Sequence, residues 1–166
     1  MVRRLHFLAL KLYAVLPRRV RLWVVHRAGP SFTVGAICVI ERADGRMLLV
    51  RHSYRRLWGF PGGLLKRGEE VEDGACREAM EEVGLDVDLQ GEPAVVIAPG
   101  PRRVDVIYRC RPAPGADCDS LRPSSAEIVE VRWFPADALP ELQHEAAGAL
   151  VALARVTGQA MSTEIH

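Results

Sequence analysis

Apolar residues recur at helical spacing near both ends of the chain and in short continuous runs between those ends. At the amino-terminal end the spacing predicts a helix over residues 2–16, which Pro17 stops or kinks, followed by an apolar and basic segment over 20–26. At the other end, apolar residues from Leu142 to Leu153 predict a carboxyl-terminal helix. Helices therefore flank a central region whose hydrophobic pattern is different.

The central region contains five short runs rich in β-branched and aromatic residues, which predict strands. They span residues 32–40, 47–50, 94–97, 104–111 and 130–134. The turn signal Ala43-Asp44-Gly45 separates the first two runs, and the Pro-, Asp- and Ser-rich stretch 112–125 predicts a surface loop between the last two. This order of elements favours an α/β fold in which helices cover a mixed sheet.

A glycine turn leads into a short helix in the middle of the chain. We expect this helix to run from Val71 to Val83, with Gly84 as its carboxyl-terminal cap, because glycine adopts the left-handed conformation most easily. Its apolar face, which can dock on the sheet, consists of Cys76, Ala79, Met80 and Val83.

The same helix carries three carboxylates, Glu78, Glu81 and Glu82, at positions i, i+3 and i+4. This spacing places them on one helical face, where like charges repel one another. A bound cation would offset that repulsion, and ligands that are all oxygen select hard divalent ions such as Mg²⁺ or Mn²⁺. The spacing therefore predicts a divalent-metal site on this face.

The net charge of +1 over 166 residues hides an asymmetry along the chain. Residues 1–40 hold seven of the 22 basic residues and no acidic one, so the remainder has 15 basic and 21 acidic residues, a net charge of −6. The length fits one domain with a single sizeable core. We expect a basic amphipathic helical extension over 1–30, a folded domain over 31–160, and a flexible tail over 161–166.

The amino-terminal extension has three interpretations: a helix packed on its own domain, a contact in a homodimer, or a helix on a membrane surface. Lys11 interrupts its apolar run and no small-residue cleavage site follows, which argues against a signal peptide. A transmembrane segment would need about 20 consecutive apolar residues, and the sequence has no such run. Seven positive charges could bind nucleic acid without specificity, but no motif for specific nucleic-acid recognition accompanies them.

The four cysteines form no CxxC pair, which disfavours a zinc site or a redox motif. Cys38 and Cys76 fall on apolar faces and are expected to be free buried thiols. Free thiols are typical of the reducing cytoplasm, which is the location we expect.

Residues 63–85, GLLKRGEEVEDGACREAMEEVGL, combine the glycine turn, Glu69, an Arg-Glu pair, a Glu-Glu pair and a final glycine at fixed offsets. This stretch resembles the Nudix box, the signature of the Nudix hydrolases. The resemblance implies an α/β/α sandwich in which the box forms a loop–helix–loop. It also implies a hydrolase that uses Mg²⁺ or Mn²⁺ and acts on a small nucleotide, often as a homodimer.

The residues predicted to hold the metal are Glu78, Glu81 and Glu82, to which the resemblance adds the backbone carbonyl of Gly62. The resemblance also gives Arg77 and Glu69 mainly supporting roles. Arg77 is well placed to orient a ligand carboxylate and to offset local repulsion.

The general base is expected to be Glu127, which lies shortly before the last predicted strand in a region that resembles the base-bearing loop of several Nudix hydrolases. Glu81 or another carboxylate of the box is the alternative, and we expect Glu130 to cap or solvate a strand end. Trp58 could stack on a nucleotide base or belong to the core. Candidate phosphate-binding residues are Arg51, Arg55, Arg102 and Arg103.

The predicted function is cleavage of a nucleoside diphosphate linked to another group, with ADP-ribose or another sugar nucleotide favoured. Pro101, sixteen residues beyond Leu85, resembles the ADP-ribose-cleaving branch of the family. Hydrolysis of oxidised nucleoside triphosphates is an alternative. A nucleotide-sensing module without catalysis is another, although no glutamate or arginine of the box is missing.

Overall fold

The computed structural model describes residues 7, 11 and 13–163, and these belong to two compact units divided between Phe32 and Thr33. In the first unit, helix α1 (Arg18–Ala28) begins directly after Pro17. It ends at Gly29, whose N–H donates to the Val25 carbonyl at 2.8 Å. The helix predicted over 2–16 lies partly outside the described residues, and residues 13–15 of it are helical. No helix in the described part of the chain is long and apolar enough to cross a membrane.

Over its described residues, 33–163, the second unit contains six strands and two helices. In chain order these are β1 (Thr33–Ile40), β2 (Arg46–His52), β3 (Gly62–Leu64), α2 (Val71–Val83), β4 (Val87–Ala98), β5 (Arg103–Pro112), β6 (Ile128–Pro135) and α3 (His144–Thr163). Residues 164–166, part of the predicted tail, lie outside the described residues.

The strands form two sheets. One has four strands in the order β3-β1-β5-β4, in which β1 and β5 are parallel and the other pairs are antiparallel. The other pairs β2 with β6 antiparallel. The predicted mixed sheet is confirmed.

Side chains of β1 alternate between two cores on opposite faces of the sheet. Ala36 and Cys38 pack with Ala79 of α2, whereas Ile37 packs with Ala149 of α3. Strand alternation thus sends neighbouring residues to different helices. The resulting arrangement is the predicted α/β/α sandwich.

The central helix has the predicted ends, and Gly84 caps it in the left-handed conformation with φ 67°. Gly74, inside this helix, makes room for the box loop, because a Cβ there would lie 2.3 Å from Leu65 Cδ2. All four cysteines are free, with Cys38 buried and Cys76 half-buried.

The main differences from the predicted strands concern β2, β3 and β4. Strand β3, a Gly-Gly-Leu segment, carries no strand signal of its own and is held by pairing with β1. Strand β4 begins at Val87 rather than at residue 94, with a register shift between Gln90 and Ala94. Strand β2 continues beyond the predicted end at residue 50 to His52, because Arg51 and His52 pair with β6.

Candidate active site

A cleft of about 740 Å³ opens beside the carboxylate face of α2. Its wall is formed by α2, the glycines of β3, the end of β2, the loop before β6 and the start of α3. Elements that are distant in sequence therefore meet at one opening.

Arg77 is the centre of the charge network on one wall. Its Nε donates to Glu69 Oε1 at 2.6 Å and its Nη2 donates to Glu69 Oε2 at 2.9 Å. Its Nη1 donates to Glu78 at 2.6 Å and to Glu81 at 2.9 Å. The hydrogen bonds from Arg77, with one from the Lys66 backbone, lower the pKa of Glu69 to about 2. One guanidinium thus fixes three carboxylates of the box.

Glu78 lies against the glycine turn. A Cβ on Gly63 would lie 2.6 Å from the Glu78 carboxylate. Any residue other than glycine would therefore clash with this carboxylate in its present position. Burial raises the pKa of Glu78, and the charges of Glu82 and Glu81 raise it further, while Arg77 opposes both effects. The predicted repulsion between the carboxylates is therefore present in the structure.

Glu82 is the most buried of the three carboxylates, with 6% of its surface exposed. Its Oε2 accepts a hydrogen bond from the Gly62 N–H at 3.0 Å, and its Oε1 lies 3.4 Å from His52 Nε2. Its backbone carbonyl accepts a hydrogen bond from the Ser124 N–H at 2.9 Å. Both the side chain and the main chain of Glu82 are therefore held in place.

Glu81 is half exposed and lies at the cleft with Lys66, whose Nζ donates to it at 3.0 Å. Hydrogen bonds from Lys66 and then from Arg77 lower its pKa. Both bonds therefore favour the charged form of Glu81.

The donor set fits a hard divalent cation. Glu78, Glu81 and Glu82 offer only carboxylate oxygen, the ligand type that hard divalent ions take, and the charges of Glu82 and Glu81 add to burial in raising the pKa of Glu78. Within the described ranges, no three His, Cys, Asp or Glu side chains are already arranged as a metal site. Arg77 and Lys66 occupy part of the carboxylates' bonding capacity instead.

The candidate base Glu127 lines the cleft with an exposed side chain. Its backbone carbonyl accepts a hydrogen bond from the Ser53 N–H at 2.8 Å. Together with the bond between Ser124 and Glu82, this contact anchors the end of the loop that follows β5. Glu130 points elsewhere and pairs with Arg51 and Arg132.

The candidate substrate residues divide into two groups. Arg55 and Arg103 line the cleft, where Arg55 bonds Gln143 at 2.9 Å and Arg103 bonds Asp105 at 2.6 Å. The others do not line it: Arg51 bonds Glu130, Arg102 lies in the turn before β5, and Trp58 packs edge-on against Phe134 in the core.

Several cleft residues escaped the sequence prediction. Tyr54, in the loop that follows β2, lines the cleft with 65% of its surface exposed. His52, Lys66 and Gln143 also line the cleft. For His52 a signal existed, because strand alternation from Leu48 through Val50 puts a histidine on the buried face.

Comparison with known proteins relates this arrangement to one family. The family model described as the NUDIX domain matches residues 31–154, well over half of the chain. A MutT-like protein of Streptomyces ambofaciens is 31% identical over 116 residues, which cover 70% of this chain and 72% of that protein. A putative 8-oxo-dGTP diphosphatase of Bacillus subtilis is 34% identical over 41% of this chain and 46% of its own length. The crystal structure of an ADP-ribose pyrophosphatase from Streptococcus suis matches with a TM-score of 0.61 at 29% identity, covering 75% of this chain and 91% of that one.

Proposed function

The chain belongs to the Nudix family, and we propose that it is a divalent-metal-dependent pyrophosphohydrolase acting on a nucleoside diphosphate linked to another group. Membership of this family makes the chain a hydrolase that acts on phosphorus-containing anhydrides. One observation carries the finer proposal: the carboxylates Glu78, Glu81 and Glu82 line the same cleft as Arg55 and Arg103. A site with both charges suits a cation together with an anionic phosphate chain.

In the proposed site, Glu78, Glu81, Glu82 and the Gly62 carbonyl hold Mg²⁺ or Mn²⁺. When bound, such an ion neutralises charge on the phosphate oxygens and lowers the pKa of bound water. Arg77 orients Glu78 and Glu81 through its hydrogen bonds to both.

Glu127 is proposed to accept the proton of the attacking water. Its side chain is exposed in the cleft, and the backbone on either side of the carboxylate is anchored. A carboxylate in this place can act as general base once a water lies within hydrogen-bonding distance. Glu81, which is also exposed in the cleft, is the alternative base.

Arg55 and Arg103 are proposed to bind the phosphates. Each already bonds an acidic or amide side chain, but a guanidinium has five N–H donors, so donors remain for phosphate oxygens. Tyr54 offers an exposed ring to the base of the nucleotide, a role for which the sequence had suggested Trp58.

A sugar nucleotide such as ADP-ribose is the favoured substrate. The ADP-ribose pyrophosphatase of known structure is matched over 91% of its length. Nucleoside triphosphates with an oxidised base are the second candidate, which the similarity to the putative 8-oxo-dGTP diphosphatase over 46% of its length favours.

The organisation of the chain belongs to the same proposal. Residues 31–160 are proposed to form the catalytic domain, which the family match over 31–154 supports. Four free cysteines support a cytoplasmic location. Homodimerisation through residues 1–30 is proposed on the basic and apolar character of that segment alone.

The test is a chromatographic product assay over nucleoside diphosphate-linked compounds and nucleoside triphosphates, with Mg²⁺ or Mn²⁺. Glu82→Gln serves as the inactive variant, and Glu92→Gln, an exposed substitution on β4, serves as its matched control. Cleavage of a sugar nucleotide to a monophosphate that fails only in Glu82→Gln would support the proposal. Cleavage of triphosphates alone would favour the second candidate, and tight binding without turnover would favour a nucleotide-sensing module.

A further inference from the structure

We propose that His52 is a positioning residue that orients the Glu82 carboxylate toward the divalent cation. The inference rests on the proposed function, because it concerns how a metal ligand of that site is held. Neither the box nor its resemblance to the family includes this histidine, which lies eleven residues before Gly63.

The two side chains are in direct contact in a nearly water-free setting. His52 Nε2 lies 3.4 Å from Glu82 Oε1, with 8% of His52 and 6% of Glu82 exposed. The other oxygen, Oε2, accepts the Gly62 N–H. Each oxygen of the carboxylate therefore has one neighbour that limits its rotation.

The three carboxylates differ in the side chains that hold them. Glu78 and Glu81 are both bonded to Arg77. Across residues 13–163, Glu82 has no arginine or lysine partner, and His52 is the side chain that pairs with it. The orientation of this buried carboxylate is therefore left to His52 and one backbone N–H.

The pairing of β2 with β6 places the imidazole at the edge of the cleft. His52 ends β2 and pairs with Ile128 of β6, with a register shift directly before it. Such irregularities re-aim a side chain and occur often beside active sites. The Tyr54 ring lies 5.3 Å from the imidazole, centroid to centroid. Strand pairing therefore determines the position from which Nε2 meets Glu82, and the Tyr54 ring lies beside it.

The other ring nitrogen of His52, Nδ1, indicates that packing alone does not explain why a histidine stands at this position. His52 Nδ1 is buried and finds no hydrogen-bond partner within the described part of the chain, and an unpaired buried polar atom disfavours the folded state. A leucine would fill comparable space without that unpaired atom. The polar group that the histidine contributes is therefore Nε2, at the Glu82 carboxylate.

Three substitutions separate the role of Nε2 from that of packing. His52→Leu removes both nitrogens and keeps an apolar side chain of similar bulk. His52→Gln places an amide nitrogen near the position of Nε2, and His52→Asn places one nearer the position of Nδ1. Tyr108→Phe is the control, since it removes one half-buried hydrogen bond, to Glu72, away from the cleft.

The first readout is binding of Mn²⁺ to the full-length protein without substrate. The signal measured is the electron paramagnetic resonance of the Mn²⁺ that remains free. We expect the Kd for Mn²⁺ to rise about tenfold in His52→Leu and His52→Asn, and to stay within about threefold of wild type in His52→Gln. Tyr108→Phe should leave this Kd unchanged. The second readout is kinetic: the Mn²⁺ concentration for half-maximal rate should rise in His52→Leu, while KM at saturating Mn²⁺ stays the same.

A Kd in His52→Leu within about twofold of wild type would overturn the proposal, and so would a His52→Gln variant no better than His52→Leu. Glu82→Gln separates this failure from a failure of the proposed function. If Glu82→Gln loses Mn²⁺ and His52→Leu does not, only the role of His52 falls. If Glu82→Gln binds Mn²⁺ like wild type, the metal site lies elsewhere and both proposals fall.

Discussion

Arg77 donates one hydrogen bond to each carboxylate oxygen of Glu69, at 2.6 and 2.9 Å, and so joins the helix of the box to the loop before it. The same guanidinium reaches Glu78 and Glu81. Because a planar fork of donors makes all of these bonds at once, the arrangement is specific to arginine. It links the stability of the box loop to the placement of the proposed metal ligands.

We predict that Arg77→Lys lowers kcat by about 10- to 100-fold, because a single ammonium cannot hold Glu69 and two further carboxylates together. Steady-state kinetics on the substrate identified by the product assay will measure this. Arg46→Lys, at an exposed pair with Asp44, is the control and should match wild type. A kcat for Arg77→Lys within about twofold of wild type would show that the fork is unimportant.

The lowered pKa of Glu69 predicts a defined loss of stability in acid. Its pKa falls from the ordinary 4.5 to about 2 on folding, chiefly through the hydrogen bonds from Arg77. The stabilisation is therefore complete above pH 4.5 and is lost as the pH falls through about 2. Urea midpoints between pH 7 and 2 should fall more steeply in wild type than in Glu69→Gln. Parallel curves for the two proteins would contradict this.

Two adjacent glycines should respond differently to alanine. In Gly63→Ala the new Cβ meets the carboxylate of Glu78, a flexible end that can move, so activity should fall about tenfold or more while Tm changes little. In Gly62→Ala the new Cβ would lie 2.3 Å from the Ala36 backbone oxygen, which cannot yield, so Tm should fall as well. Gly100→Ala, at a position with open space, is the control. Equal changes in Tm for the first two variants would refute the distinction.

The choice of general base can be tested by comparing Glu127→Gln with Glu81→Gln. If Glu127 accepts the proton, its variant should lose about 10²- to 10⁴-fold in kcat with little change in KM. Glu81→Gln should weaken metal binding instead, so that added Mn²⁺ restores part of its rate. The reverse pattern would assign the base to Glu81.

Tyr54→Ala should raise KM about tenfold without changing kcat, because the exposed ring offers a stacking surface for the nucleotide base. Tyr54→Phe keeps the ring and should behave like wild type. Titration of the nucleoside monophosphate product by calorimetry provides a second measure. If Tyr54→Ala and wild type bind this product equally, the base lies elsewhere in the cleft.

The sequence predicted those parts of the molecule that local signals determine. Helix α2 has its predicted ends because the helical period and a capping glycine at Gly84 both act within a few residues. The carboxylates of the box share a face for the same reason. Strand β3 was missed, since Gly62 and Gly63 carry no strand preference and are held by β1, far away in sequence.

The roles of residues around the box could not be predicted locally, because they depend on contacts between segments that are distant in sequence. Arg51 looked free to bind phosphate, but β6 brings Glu130 to it. Trp58 looked able to stack on a base, but it packs edge-on against Phe134, which is also on β6, and so belongs to the core. Neither partner could be assigned before the pairing of β2 with β6 was known.

The main-chain bond from Ser124 to Glu82 has a consequence for how related enzymes can diverge. Since this bond and the one between Ser53 and Glu127 involve only backbone atoms, they do not depend on which side chains surround them. The surface loop upstream of Ser124 can therefore gain or lose residues while Glu127 stays in place. Changes in loop length here would reshape the surroundings of the cleft, and so its choice of substrate, without displacing Glu127, the proposed base.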